Sequence, residues 1–218
     1  MSWKKEISQI KLREKLAKQQ GGSEAVKLQH DKGRLTLRER IDLLLDKDSF
    51  DEIGKVAGGA EYDDEGNLLS LTPANFILGF GKIEGQDVIV GGEDFTVKGG
   101  SPNAAGLRKS VYTEDLAVKH KFPLVRLHEG GGGSVAGPSK EKRGYGGDPV
   151  FARSRFKSVA QTLKEVPVVS AALGPVAGLP ASRFVGSHFR IMVKDNAQIL
   201  VAGPAVVSRA FGKDFTKE

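Results

Sequence analysis

The sequence predicts an α/β fold with a largely parallel sheet, preceded by a basic helical arm. Short apolar segments alternate with helical patterns after residue 75, and glycine-rich turns follow two of these segments. In the first 45 residues the apolar positions recur at helical spacing instead. Strands that alternate with helices are typical of α/β domains, in which much of the strand pairing is parallel.

The arm, residues 1–50, is predicted to form three helices. The two glycines at 21–22 end the first helix, and Ser23 is expected to cap the second. Thr36 and Glu39 have the spacing of a capping box, in which each residue satisfies a free backbone amide of the other. A third helix is therefore expected to begin directly after Thr36.

The positive charge of the chain is concentrated in this arm. Residues 1–40 hold 11 Lys and Arg against 5 Asp and Glu, whereas the remaining residues hold 22 of each. The plain interpretation is a solvated helical face, and the functional one is a landing site for a nucleotide-bearing cofactor or a nucleic acid. Trp3 is the only Trp, Tyr or Phe among these 40 residues, which weighs against base stacking on nucleic acid.

The composition excludes several kinds of chemistry. The 218 residues include no cysteine, so disulfides, thiolate zinc sites and a cysteine nucleophile are excluded. The four histidines lack metal-type spacing, and we expect no metal in this chain. No apolar run approaches the ~20 residues that span a bilayer, and the N-terminus lacks a secretory signal. We expect a cytoplasmic protein, or a mitochondrial matrix protein if the source is eukaryotic, with no membrane partner.

Beyond the arm, the pattern predicts strands and helices in alternation. The predicted strands cover residues 76–83, 88–90, 94–97, 124–127, 166–172, 189–193 and 197–202. The predicted helices run from Ser101 as N-cap to about Lys121, from about Pro149 past Leu163, and from Gly203-Pro204 to Gly212. The first two strands, joined by a short polar turn, read as a hairpin.

Two glycine loops are predicted to face one crevice. Residues 124–172 read as a strand–helix–strand unit, which crosses over right-handed and brings both strand ends to the same edge of the sheet. The loops that follow, 129–134 and 174–179, should therefore converge where α/β sheets usually bind ligands. Backbone amides, including those of Gly178 and Leu179, could then form an oxyanion hole for an enolate or a tetrahedral oxyanion.

His128 and Glu129 flank the first glycine loop. A His-Glu pair could take part in acid–base chemistry on a substrate. The interpretation favoured here is that the two side chains orient the loop.

Three blocks of the sequence resemble a known family. They are the stretch from Gly33 to Asp46 followed by Ser49-Phe50, the stretch Asp94–Ser101, and the stretch Val168–Gly178 together with Val201–Val207. In this order they resemble the β subunits of biotin-dependent acyl-CoA carboxylases, the carboxyltransferases for propionyl-, methylcrotonyl- and acetyl-CoA.

This resemblance implies a crotonase/ClpP-like spiral of ββα units after the helical arm. Residues 51–218 would be the acyl-CoA-binding carboxyltransferase domain, and a second domain for the biotin side would be absent, so the chain is expected to be a fragment, inactive alone. Carboxybiotin would deliver carbon dioxide to the α or vinylogous carbon of an acyl-CoA. The enolate would be held by the backbone amides of Gly133 and of Gly178 or Leu179.

Further residues and partners follow from the same resemblance. Gly131 and Gly132 would contact the substrate, and Lys32, Arg34 and Arg38 would face the coenzyme A phosphates. The expected partners are the acyl-CoA, the C-terminal carboxyltransferase domain, a biotin carboxylase or biotin carrier subunit, and further copies of the chain, without nucleic acid.

The sequence departs from the family pattern in both glycine loops. The second loop has Leu179 where the family often has a second glycine, which keeps an amide but changes the surroundings of the acyl group.

Two other functions stay open at this point. One is a stand-alone crotonase-type hydratase or isomerase, which needs an acidic side chain at the thioester and has Glu129 as its loop candidate. The other is a non-enzymatic binding module that uses the basic arm.

Overall fold

The computed structural model describes residues 3–132 and 155–215. The three helices of the arm are confirmed as α1 (Lys4–Lys18), α2 (Ser23–His30) and α3 (Leu37–Leu44). Thr36 caps α3, and both hydrogen bonds of the capping box with Glu39 are present. The N-cap of α2 is Gly22 rather than Ser23, which is already the first helical residue.

The strands form one large mixed sheet and a separate hairpin. The described strands are β1 (Asp51–Glu52), β2 (Gly58–Tyr62), β3 (Leu68–Pro73), β4 (Phe76–Ile83), β5 (Gln86–Glu93), β6 (Leu124–Gly130), β7 (Val168–Ala177), β8 (Phe189–Met192) and β9 (Gln198–Leu200). The sheet order is β1-β4-β5-β6-β7-β8, with β9 also paired to β7, while β2 and β3 pair with each other. Pairing is antiparallel up to β5 and parallel from β5 onward, as the α/β prediction requires.

Helices cover both faces of the sheet. The remaining helices are α4 (Ala104–His120), α5 (Arg155–Glu165), α6 (Leu179–Val185) and α7 (Pro204–Phe211). Alternate residues of β4 point to opposite faces, so Leu78 packs in the cluster that includes Leu116 of α4, and Ile77 packs in the cluster that includes Ile41 of α3. The arm helix α3 is thus part of the core rather than an appendage.

Residues 94–97 were predicted as a strand, and that prediction is wrong. The segment is a turn, followed by a short 3-10 helix, Lys98–Gly100. The carboxylate of Asp94 accepts hydrogen bonds from the backbone amide and the hydroxyl of Thr96, which folds the chain back on itself. The next helix is capped by Asn103 rather than Ser101, because the Asn103 side chain accepts from the Gly106 amide at 2.7 Å.

The second glycine loop is shorter than predicted. Strand β7 continues to Ala177, because Val176 pairs with Gly130 on one side and with Ile199 on the other. Only Gly178 is left to connect β7 with α6. The predicted helix start near Pro149 lies outside the described residues, within which α5 begins at Arg155.

Candidate functional site

The ends of β6 and β7 bring two glycine segments into direct contact. Gly132 has φ of 72°, and a Cβ atom at this position would lie 2.8 Å from the Ala177 carbonyl oxygen and 3.3 Å from the Gly178 nitrogen. Only glycine combines this backbone angle with so close an approach. Gly132 and Gly178 are therefore neighbours, as the right-handed crossover predicts, whereas Gly133 lies outside the described residues.

A third glycine segment, Lys98–Gly100, completes this edge of the sheet. The Gly131 amide donates to the Gly99 carbonyl at 2.8 Å. A Cβ atom at Gly100 would lie 2.7 Å from the Glu129 carbonyl oxygen, so the segment packs against the end of β6. The Gly99-Gly100 pair was the signal for this segment in the sequence. It lies in the family-like stretch Asp94–Ser101, but the sequence analysis used it only for the family resemblance and did not predict a role at the site.

The backbone amides at this edge differ in their hydrogen bonding. The Gly178 amide donates to the Leu200 carbonyl at 3.3 Å, and the Gly131 amide is bound to Gly99. The Leu179 amide, in contrast, finds no acceptor among the described residues. Of the two predicted oxyanion-hole donors that the structure describes, Gly178 and Leu179, only Leu179 has an amide without an acceptor among the described residues.

Glu129 is fully buried and faces the arm. Its carboxylate accepts from Gln29 at 2.7 Å and pairs with Arg34 at 3.3 Å and with Arg40 at 2.6 Å. A side chain at Gly174 would collide with this carboxylate. The Glu129 carboxylate therefore joins the arm to the glycine edge, an arrangement that supports the predicted role in loop orientation.

His128 forms a second buried pair. Its Nδ1 atom lies 3.0 Å from Glu93 Oε2, and both side chains are almost fully buried. Burial opposes ionisation of Glu93, but the charges of His128 and Arg183 outweigh it and hold the pKa of this carboxyl below its usual range. The pair links the ends of β5 and β6.

A third buried cluster, centred on Glu114, lies behind α6. Glu114 Oε1 accepts from Arg126 Nη2 at 2.7 Å and from Arg183 Nε at 2.8 Å, and Arg183 Nη1 donates to Ser110 at 3.1 Å. Burial lowers the pKa of Arg126 to about 10, against the opposing charge of Glu114. The sequence analysis missed this cluster. Its signal was the presence of charged residues, such as Arg126, inside otherwise apolar segments.

The three predicted phosphate-binding cations lie in different surroundings. Arg34 pairs with Glu129, Arg38 makes two bonds of 2.8 and 3.2 Å to Glu52 of β1, and Lys32 is exposed. Arg38 also lines a groove of about 780 Å³ between the arm and β1, together with Lys18, Lys47, Lys55 and several carboxylates. That these cations face coenzyme A stays a prediction.

No metal centre emerges from the described ranges, where no three His, Asp or Glu side chains are grouped closely enough to hold an ion. No helix in the same ranges combines the length and the apolar character needed to cross a membrane.

Comparison with known proteins links this site to one family. The chain is 32% identical over 214 residues to a propionyl-CoA carboxylase beta chain of Roseobacter denitrificans, covering 97% of this chain and 40% of that protein. The chain thus spans about two fifths of the length of this curated relative.

Solved structures show the same likeness. A transcarboxylase 12S structure with methylmalonyl-coenzyme A and methylmalonic acid bound matches all of this chain and 41% of its own, with a TM-score of 0.74 and 25% identity. A single-chain, multi-domain long-chain acyl-CoA carboxylase matches 98% of this chain and 21% of its own, with a TM-score of 0.78 and 26% identity. This likeness confirms the crotonase-like α/β class predicted from the sequence.

The family comparison extends over most of the chain. Residues 28–218 match the carboxyl transferase domain, a span that includes the three glycine segments and the helix that begins at Leu179. The chain therefore belongs to the carboxyl transferase domain family.

Proposed function

We propose that this chain provides the acyl-CoA side of a biotin-dependent acyl-CoA carboxyltransferase. The thioester oxygen would accept a hydrogen bond from the Leu179 amide, with Gly133 as the predicted second donor. The observation that carries the proposal is the Leu179 amide, which has no acceptor among the described residues and follows Gly178, whose nitrogen lies beside Gly132 where two parallel strands end. Preorganised amides of this kind stabilise the negative charge that develops on an enolate oxygen.

The surroundings of the buried carboxylates favour a reaction in which a cofactor supplies the base and this chain binds the substrate. Glu93 and Glu129, two of the carboxylates next to the glycine edge, are both engaged by cations or His128 within the fold. Carboxybiotin, carried by a partner protein or domain, would supply the carbon dioxide and the base. This chain would hold and orient the acyl-CoA, and exclude water from it, at the glycine edge.

The alternative functions have less support. A stand-alone hydratase or isomerase would need Glu129 at the thioester, but this side chain is buried and bound to Arg34, Arg40 and Gln29. A basic-arm module for nucleic acid would have to use the other arm cations, because Arg34, Arg38 and Arg40 are all paired within the fold. Membership of the carboxyl transferase family also favours the first proposal.

The full assembly is part of the same proposal. We expect a second carboxyltransferase domain on the biotin side, a biotin carboxylase or biotin carrier partner, and a homo-oligomer. The expected compartment is the cytoplasm, or the mitochondrial matrix in a eukaryote. Propionyl-CoA and related thioesters are the first substrates to test.

The test is a calorimetric titration of the 218-residue chain with acetyl-, propionyl- and methylcrotonyl-CoA, with free coenzyme A as the reference. Leu179→Pro removes the amide proton, and Leu179→Ala is the matched control that keeps it. A lost neutral hydrogen bond corresponds to about 3–10-fold weaker binding, so we expect this loss for the acyl-CoAs in the proline variant alone.

Each outcome has a distinct meaning. Equal weakening in the alanine variant would assign the effect to the side chain and would contradict the role of the amide. Acyl-CoAs that bind no better than free coenzyme A would contradict the acyl site itself. The same titration with the second domain restored would then show whether that domain completes it.

A further inference from the structure

A chain of four polar side chains crosses three neighbouring strands of the sheet. It begins at Glu93 at the end of β5, whose Oε2 atom lies 3.0 Å from Nδ1 of His128 on β6. The Nε2 atom of His128 lies 3.5 Å from the Ser170 hydroxyl on β7, and this hydroxyl lies 2.6 Å from that of Ser187. All four side chains are buried, so they must satisfy one another rather than rely on solvent.

The chain ends on the backbone of α6. The Ser187 hydroxyl, in the turn after this helix, donates to the Arg183 carbonyl at 2.9 Å. The last four carbonyls of a helix have no partner within it, and that of Arg183 is among them. Arg126 Nη1 also donates to this carbonyl, but at 3.4 Å. Arg183 is therefore held through its carbonyl as well as through its side chain, which binds Glu114.

The hydrogens of this chain determine which ring nitrogens of His128 are protonated. A hydroxyl group has a single hydrogen, and Ser187 uses its own for the Arg183 carbonyl. Ser170 must therefore donate to Ser187 and can only accept from His128, so Nε2 carries a hydrogen. If Nε2 were bare, the direction of the chain would reverse, and the Arg183 carbonyl would lose the hydrogen of Ser187.

The second ring nitrogen of His128 faces Glu93. A hydrogen must lie between Nδ1 and the carboxyl group, because two bare acceptors at 3.0 Å would repel each other. Burial opposes ionisation of Glu93, but the charges of His128 and Arg183 hold the pKa of this carboxyl below its usual range, so the hydrogen belongs to Nδ1. With hydrogens on both nitrogens the ring is an imidazolium, and Glu93 is its directly bound counter-charge. The neighbouring Arg126 and Arg183 share Glu114 instead.

We propose that His128 is a buried imidazolium that positions the Leu179 amide for the thioester oxygen. The inference rests on the proposed function, in which this amide binds that oxygen. Arg183, where the chain ends, follows Leu179 by about one helical turn, so the bond to its carbonyl fixes α6 one turn away from the amide. A hydrogen bond weakens steeply as its angle departs from linearity, so a tilt of α6 would weaken the bond to the oxygen.

Nitrogen-15 NMR of the histidine rings tests the charge, with His188 as the reference in the same spectrum. The Val168 amide donates to His188 Nδ1 at 3.1 Å, so this ring nitrogen carries no hydrogen. Near neutral pH we expect two protonated ring nitrogens for His128 and one bare nitrogen for His188. The His128 signals are identified by their proximity to the Phe184 ring, whose centroid lies 6.3 Å away. A bare nitrogen in His128 would overturn the imidazolium.

Ser187→Ala tests the positioning role, because it interrupts the chain without removing a charge. The full chain is titrated with propionyl-CoA and with free coenzyme A, and the ratio of the two affinities measures the acyl site. We expect this ratio to fall about threefold, the effect of one neutral hydrogen bond. Ser158→Ala is the matched control and should leave the ratio unchanged, since this serine is also buried but its hydroxyl has no partner among the described residues. Circular dichroism checks that both variants are folded.

The same change in a Leu179→Pro background separates positioning from a general loosening of the structure. Leu179→Pro removes the amide hydrogen that the chain is proposed to position. Ser187→Ala should then have no further effect on the affinity ratio. An equal loss in both backgrounds would mean that Ser187 acts by another route, and it would overturn the positioning role.

The outcomes separate this role from the proposed function. A ratio that Ser187→Ala and Ser158→Ala leave equally unchanged would overturn the positioning role and leave the acyl site standing. Propionyl-CoA that binds no better than coenzyme A, with or without the second domain, would overturn the proposed function and the positioning role together. The ring-nitrogen signals of His128 decide its charge in either case.

Discussion

The two glutamates Glu114 and Glu129 are buried to the same degree, yet they join different parts of the molecule. Glu114 binds Arg126 of β6 and Arg183 of α6, and so ties the helix that begins at Leu179 to the sheet. Glu129 binds Arg34 and Arg40, and so ties the arm to the glycine edge. The comparison teaches that this edge is held from two sides, by the core and by the N-terminal arm.

The cations of the two clusters differ in their access to water. The Arg126 and Arg183 side chains are 4% and 3% exposed, whereas those of Arg34 and Arg40 are 18% and 10% exposed. A buried charge that loses its partner is costly in proportion to its isolation from solvent. Breaking the Glu114 cluster should therefore cost more than breaking the Glu129 cluster.

Glu114→Gln should give the largest effect. It leaves two almost fully buried guanidinium groups without the carboxylate that they bind directly, and we expect a loss of about 4 kcal/mol in the free energy of unfolding. Urea denaturation followed by circular dichroism measures this loss. Glu165→Gln, which removes an ion pair of similar length with Lys121 at the surface, is the control and should change little. A loss as small as that of the control would mean that the cluster adds no stability.

Glu129→Gln should cost about 2 kcal/mol, because Arg34 and Arg40 can regain part of their hydration. The expected signature is local: amide hydrogen exchange should accelerate in α2 and α3 more than in α4. Arg34→Met combined with Glu129→Gln forms a double-mutant cycle that isolates this ion pair. Uniform acceleration across the chain would contradict a specific tie between the arm and the sheet.

Lys109 extends the comparison, because its partner Glu52 contacts both the arm and the core. Glu52 binds Arg38 from the arm and lies 3.9 Å from Lys109 Nζ of α4. Burial lowers the pKa of Lys109 from 10.5 to about 8, against the opposing charge of Glu52. Between these two pH values the unfolded chain binds more protons than the folded chain, so this group makes stability rise with pH.

The rise due to Lys109 should reach at most about 1.4 kcal/mol per pH unit. The measurement is the difference in the free energy of unfolding between the wild type and Lys109→Met, each unfolded with urea at a series of pH values from about 7 to about 10.5. Parallel pH profiles for the two proteins would contradict a lowered pKa. Below pH 8 the folded wild type bears the full cost of burying the charged lysine. Lys109→Met should therefore have the larger free energy of unfolding in that range.

Thr36→Ala should have the smallest effect, about 1 kcal/mol, because it removes one half of a capping box. The change weakens the start of α3 without removing any charged member of the two glutamate clusters. Thr36→Ser keeps the hydroxyl group and is the matched control. Thermal denaturation compares the two variants, and equal losses would assign the effect to packing of the Thr36 methyl group rather than to the hydrogen bond.

Local signals account for most of what could be predicted about the fold. The capping box of Thr36 and Glu39, the hairpin of β4 and β5, and the parallel pairing of β6 and β7 all follow from short patterns. Strands β1 to β3 escaped prediction because most of their residues are partly or fully exposed and lack a regular apolar alternation. The extension of β7 through Gly174 and Pro175 depends on pairing with Gly130 and β9, which no local pattern reveals.

The candidate site could be predicted in position but not in detail. Topology alone brings Gly132 next to Gly178. The hydrogen bond from the Gly178 amide to the Leu200 carbonyl could not be predicted, because it depends on where β9 packs. The pairing of Arg34 with Glu129 joins residues 95 positions apart, and a distant charge pair leaves no trace in the neighbouring sequence.

The distance along the chain between the arm and Glu129 affects how the protein is made. Gln29 and its acceptor Glu129 are 100 residues apart, so a ribosome adding about 5–20 residues per second exposes the arm for about 5–20 s before that partner exists. During this interval the contact with Glu129 cannot hold the arm in place, whereas the capping box, closed within four residues, can already form. The start of α3 is therefore specified by its own sequence before the glycine edge emerges to bind the arm.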